Sequence, residues 1–109
     1  MPLYYNIKGV SVAGGQETTE LIAPNTDNIN IRSLLLTNIH DTSEATVTIF
    51  IQDNPTSAAP KTYNIIHTVA IPADTSLLLD SVEMLYFDIK YGLYITVGSS
   101  DTVDVIIST

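Results

Sequence analysis

The chain has 109 residues, 45% hydrophobic and only 15% charged, with a net charge of −8, a pI near 4.2 and no cysteine. That length holds one domain, residues 1–109, with one real core, and the lack of cysteine excludes disulfides and thiolate metal sites. The four basic residues, Lys8, Arg32, Lys61 and Lys90, are scattered, which argues against nucleic acid or anionic lipid as partners, since both need clustered cations.

No apolar run approaches the roughly 20 residues of a membrane span. The start, Met1-Pro2-Leu3-Tyr4-Tyr5, lacks the basic region and long apolar run of a signal peptide, so synthesis in the cytosol is expected.

Residues 3–12 predict a first strand, with Leu3, Tyr5 and Ile7 on one face and Tyr4, Asn6 and Lys8 on the other. Gly14-Gly15 ends it. Residues 17–23 predict a second, weaker strand, and Pro24-Asn25-Thr26-Asp27-Asn28 is a turn cluster. The stretch 34–53, LLLTNIHDTSEATVTIFIQD, organises the chain. Its second arm alternates Ala45, Val47, Ile49 and Ile51 with Thr46, Thr48, Phe50 and Gln52, a half-buried strand by its period of two. Its first arm, 31–38, is apolar on both parities around Leu34, Leu35 and Leu36 and predicts a strand covered on both faces. The polar stretch 38–44 between them is too short for a parallel crossover, so an antiparallel hairpin is expected.

Asn54-Pro55-Thr56-Ser57-Ala58-Ala59-Pro60 reads as a loop, since two prolines keep it out of a sheet. Residues 62–71 predict a long strand with Tyr63, Ile65, His67, Val69 and Ile71 on one parity, and 76–80 a short one. Asp80 stands three residues before Glu83, as in a capping box, so at most one helical turn is expected near 81–86. Residues 93–97 and 103–107 predict the last two strands, joined by a Gly98-Ser99-Ser100-Asp101 hairpin turn. About eight short strands with no helix to cover a sheet predict an all-β, single-domain antiparallel β-sandwich or jelly roll.

Little here carries chemistry. His67 reads as a partly buried core histidine, and His40 with Asp41 and Glu44 reads as turn chemistry rather than a metal site. The twelve carboxylates fall mostly in turns, and no window has EF-hand spacing. Calcium held by oxygens from several turns stays open, as does a glycosidase-like carboxylate pair. There is no nucleophile elbow or phosphate loop. No catalytic residue, cofactor or metal ligand is therefore assigned, and the reading is not an enzyme. Aromatic residues remain: Tyr4 and Tyr5 at the start, and Tyr86, Phe87, Tyr91 and Tyr94 late in the chain. Tyrosine is enriched in interfaces; its alternatives here are plugs for the sandwich ends or a sugar platform.

The segments "IRSLLLTNIHDTSEATVTIFIQD", "YNIIHTVAIPADTSLLLD" and "LYITVGSSDTVDVIIST" resemble small virion structural proteins of tailed phages, especially those of marine cyanobacterial phages. The shared pattern spans residues 31–109; the first 30 residues carry no match. The resemblance implies a non-enzymatic virion component made in the host cytoplasm. A capsid decoration or cement protein bridging neighbouring capsid subunits is the expectation. A neck, tail or fibre component, or a carbohydrate-binding module, is the alternative. Its partners would be the major capsid protein or another virion protein, and its own copies in a homo-oligomer, a trimer among the symmetries. The acidic balance places it outside, away from packaged DNA. Interface residues expected on this reading are Leu3, Tyr4, Tyr5 and Ile7, with 1–15 an interface arm or edge strand, and Tyr86, Tyr91 and Tyr94.

Overall fold

Alternation decides which side of each strand turns inward. In β6 (Ala45–Asp53), Ala45, Val47 and Ile49 are buried while Thr46, Thr48 and Phe50 keep partial exposure. The same rule buries Leu34 and Leu36 of β5 (Ser33–Asn38), Leu93, Ile95 and Val97 of β9 (Tyr91–Val97), and Val103, Val105 and Ile107 of β10 (Thr102–Ser108). These side chains meet in one apolar layer, and branched aliphatics suit a pleated surface. The computed structural model describes residues 3–12, 15–26, 30–53, 59–81 and 85–109. The remaining strands are β1 (Leu3–Lys8), β2 (Ser11–Val12), β3 (Gly15–Gln16), β4 (Thr18–Ile22), β7 (Thr62–Ile71) and β8 (Ser76–Leu79).

Eight strands form two antiparallel sheets of four, in the orders β1-β10-β5-β8 and β4-β9-β6-β7, with β2 and β3 as a small separate ribbon. Four pairs nest inside one another: β1 with β10, β4 with β9, β5 with β8, β6 with β7. That is one long antiparallel ribbon rolled up so that successive pairs fall in alternate sheets. Pairing of β5 with β10 and of β6 with β9 completes the two sheets. The result is a jelly roll, as expected from the strand count and the lack of helices.

The expected hairpin over 34–53 is not one. β5 and β6 belong to different sheets, and 39–44 is a corner between them. The buried side chain of Asn38 builds that corner. Its amide donates to the carbonyls of Ser43 (2.8 Å) and Ile71 (3.0 Å), and its oxygen accepts the His40 N–H (3.0 Å). His40 Nδ1 in turn accepts the N–H groups of Thr42 and Ser43, each at 3.1 Å. Turn polar groups are satisfied by these side chains rather than by a paired strand, so the chain is free to change sheets.

Residues 98–101 are likewise a corner. Asp101 N–H bonds the Gly98 carbonyl at 2.9 Å, a β-turn, but β9 and β10 lie in different sheets. Asp101 Oδ2 accepts the Thr46 N–H (3.1 Å) and its carbonyl accepts the Gly9 N–H (2.8 Å), which ties β6 and the end of β1 to the corner. The first strand stops at Lys8 rather than at Val12 for the same reason. Gly9 lies so close to Gly98 that a Cβ there would overlap the Gly98 carbonyl.

His67 is exposed rather than a core residue. Two register shifts flank Ile49, each adding one residue to β7: His67 and Thr68 together oppose Thr48, between the Val47–Val69 and Ile49–Ile66 pairs, and Ile65 falls between the Ile49–Ile66 and Phe50–Asn64 pairs. A bulge breaks the period of two on which the expectation rested. The helical turn expected near 81–86 lies largely outside the described residues, although Leu85 N–H bonds the Ser81 carbonyl at 3.1 Å. The loop expectation at 54–58 and the Asp27-Asn28 part of the turn cluster also lie outside them.

Candidate functional site

The ladder registers of the first sheet align four side chains that sequence spacing cannot relate. Tyr4 pairs with Ile106, Ile106 with Leu35, and Leu35 with Leu78. Odd-numbered neighbours on β1 and β10 and even-numbered ones on β5 point into the core, so this row lies on the outer face. Tyr4 is 70% exposed and Leu78 53%, with Leu35 and Ile106 half-buried between them. An apolar row thus crosses the whole sheet on its solvent side. The expectation that β5 is covered on both faces is corrected by it: Leu35 belongs to this open row. The next row, Asn6, Asp104, Thr37 and Ser76, is polar and internally bonded, with Asn6 Nδ2 to Asp104 Oδ1 at 2.5 Å and Thr37 to Ser76 hydroxyls at 2.8 Å. Apolar surface with a bonded polar rim is the pattern of an interaction patch.

The expected interface residues divide between the two sheets. Of those expected on β1, only Tyr4 points out. Leu3 and Tyr5 are half-buried and Ile7 is buried, all facing the core, and the Tyr5 hydroxyl donates to the Leu21 carbonyl at 2.5 Å across the sandwich. Tyr94 is on β9 in the other sheet and is 4% exposed. Its ring stacks on Phe50 at 5.5 Å, and its hydroxyl lies 3.4 Å from Glu20 Oε2. Burial, and then the Glu20 carboxylate beside it, raise the Tyr94 phenol above its usual value. Tyr94 is therefore a packed side chain of the outer face.

Tyr86 and Tyr91 come together at one end of the sandwich. They line a cleft of about 600 Å³ with Ile22, Ile31, Arg32 and Asp88. Tyr86 is 81% exposed there. Tyr91 is half-buried, edge-on to Tyr63 at 5.9 Å, with Lys90 Nζ 5.3 Å from its ring. Sequence reading missed Leu35, Leu78, Ile106 and Arg32 as surface candidates. The first three carry no local signal, because only cross-strand register brings them to Tyr4.

Among the described residues no three His, Asp or Glu side chains gather where they could hold a metal ion. His40 Nδ1 lies 3.6 Å from Asp41 Oδ1, but it is already the acceptor for two backbone N–H groups of its own turn. No protein-family model, curated protein or solved structure matches the chain.

Proposed function

We propose that the chain is a non-enzymatic structural subunit of a virion, a capsid decoration or cement protein that bridges neighbouring capsid subunits on the outer surface. The exposed row Tyr4, Ile106, Leu35 and Leu78 carries this reading. It supplies apolar contact on an open sheet face, in a chain of which only 15% is charged. Many copies of one modest contact give firm attachment through avidity. The net charge of −8 suits an outward position, since packaged DNA would repel it. The likeness of residues 31–109 to small phage virion proteins points the same way.

Electron microscopy of the intact particles tests it. The protein should occupy repeated positions on the capsid, and Leu78→Asp should remove it from them. Recovery of the wild-type protein only from host cytosol would end the proposal. A fibre subunit that binds carbohydrate is the second reading, favoured by the open cleft with Tyr86, Tyr91, Arg32 and Asp88. Aromatic faces and charged hydrogen-bonding groups at one opening suit a sugar. A glycan array separates the two, because only this reading requires binding that Tyr86→Ala removes.

A further inference from the structure

The first sheet ends in a strand edge that is built to pair, and we infer that its partner is β1 of a second copy of this chain. Backbone bonds fix which groups face the open side. Gly9 N–H bonds the Asp101 carbonyl, continuing the β1–β10 register, so odd positions of β1 bond inward to β10. The next ladders agree: Ile39 N–H bonds the Thr102 carbonyl between β5 and β10, and Asn38 N–H bonds the Thr75 carbonyl between β5 and β8. Tyr4, Asn6 and Lys8 therefore direct their N–H and C=O groups away from the sheet. Among the described residues no strand pairs with that side.

The other three outer strands are defended in the ways sheet edges usually are. β8 has four residues and lies between Asp74 and Asp80. β4 is bulged between Glu20 and Ile22 and carries exposed Glu20. β7 has two register shifts and a left-handed Thr68 at φ 47°. β1 has none of these features. It runs six residues in unbroken register. Its only charge is Lys8, and it has no carboxylate in a chain of net charge −8. Two acidic copies repel each other least across this edge.

Symmetry then selects a register. A two-fold axis normal to the sheet keeps inward residues opposite inward ones, so a residue of β1 faces one of the same parity. The arrangement with Asn6 opposite Asn6 of the second copy engages all three outward-bonding residues at once. It sets Tyr4 against Lys8 of the second copy, a cation–π pair, and Tyr5 against its Ile7 on the core side. Shifting by two residues in either direction leaves one of the three unpaired. The product is a continuous eight-stranded sheet, with both copies of the Tyr4–Leu78 row on one face. The inference rests on edge geometry alone and not on the virion reading.

Two measurements on the full chain test it. Sedimentation at micromolar concentration should return about twice the 11.8 kDa chain mass. Asn6→Pro deletes an N–H that bonds only across the dimer, and by symmetry does so twice, so it should weaken association about tenfold or more while Asn6→Ala does not. A single introduced cysteine reads the register directly, because the chain has none of its own. Asn6→Cys places two Cα atoms at about 5.5 Å, within disulfide reach, and should cross-link under mild oxidant. Tyr5→Cys should not. A wild-type monomer or trimer overturns the proposal. So does cross-linking that is as efficient at position 5 as at position 6.

Discussion

The side-chain amide of Asn38 donates to the backbone carbonyl of Ile71 at 3.0 Å, joining the end of β5 in one sheet to the end of β7 in the other. Asn38 is fully buried, and its two further bonds hold the 39–44 corner. Asn38→Ala would remove the donor to the Ser43 and Ile71 carbonyls and the acceptor of the His40 N–H. Chemical denaturation should show a loss of about 2–3 kcal/mol. Asn38→Asp should be worse, because it turns a donor toward two carbonyls into an acceptor.

Thr68 has φ 47°, a left-handed conformation that a β-branched residue adopts only at a cost. Its N–H bonds Thr48 Oγ at 2.9 Å, which holds the bulge in place. Thr68→Gly should relieve the strain and raise stability by about 0.5–1 kcal/mol after the extra backbone entropy is counted. A melting temperature below wild type would contradict this.

Tyr94 titrates above its ordinary value because it is buried and then because Glu20 is close. Folding thus favours the protonated phenol. The associated stability is fully present below the unfolded tyrosine value of about 10 and is lost as pH rises through the higher folded value. Tyr94→Phe should flatten this alkaline fall in unfolding free energy. Below pH 9 its stability should differ little from wild type, since the 3.4 Å hydroxyl contact is a long one.

Gly9 and Gly98 let the end of β1 rest on the β9–β10 corner. Gly9→Ala drives a methyl into the Gly98 backbone, which has no flexible side chain to yield. A cost of about 3 kcal/mol is expected in equilibrium unfolding. Val10→Ala, one residue on and exposed, should change little and serves as the control.

Much of the strand content was legible. The alternation of β6 and of the terminal Val103, Val105 and Ile107 lies where the period of two puts it, and β7 covers the expected residues although its bulge breaks the alternation. The site was far less legible. Tyr4 is a candidate by residue type and does lie exposed, whereas Tyr94 is a candidate on the same ground and is buried against Phe50. Residue type does not say which neighbour a ring will meet.

By itself the sequence determined which side chains of each strand are apolar, and hence that two sheets must face each other. Tertiary structure alone decided which strands pair, that residues 39–44 and 98–101 are corners, and that Tyr4, Ile106, Leu35 and Leu78 form one row. The physical reason is range. Side-chain alternation is a property of neighbouring residues, whereas a ladder register joins strands tens of residues apart and is set by the packing of the whole core.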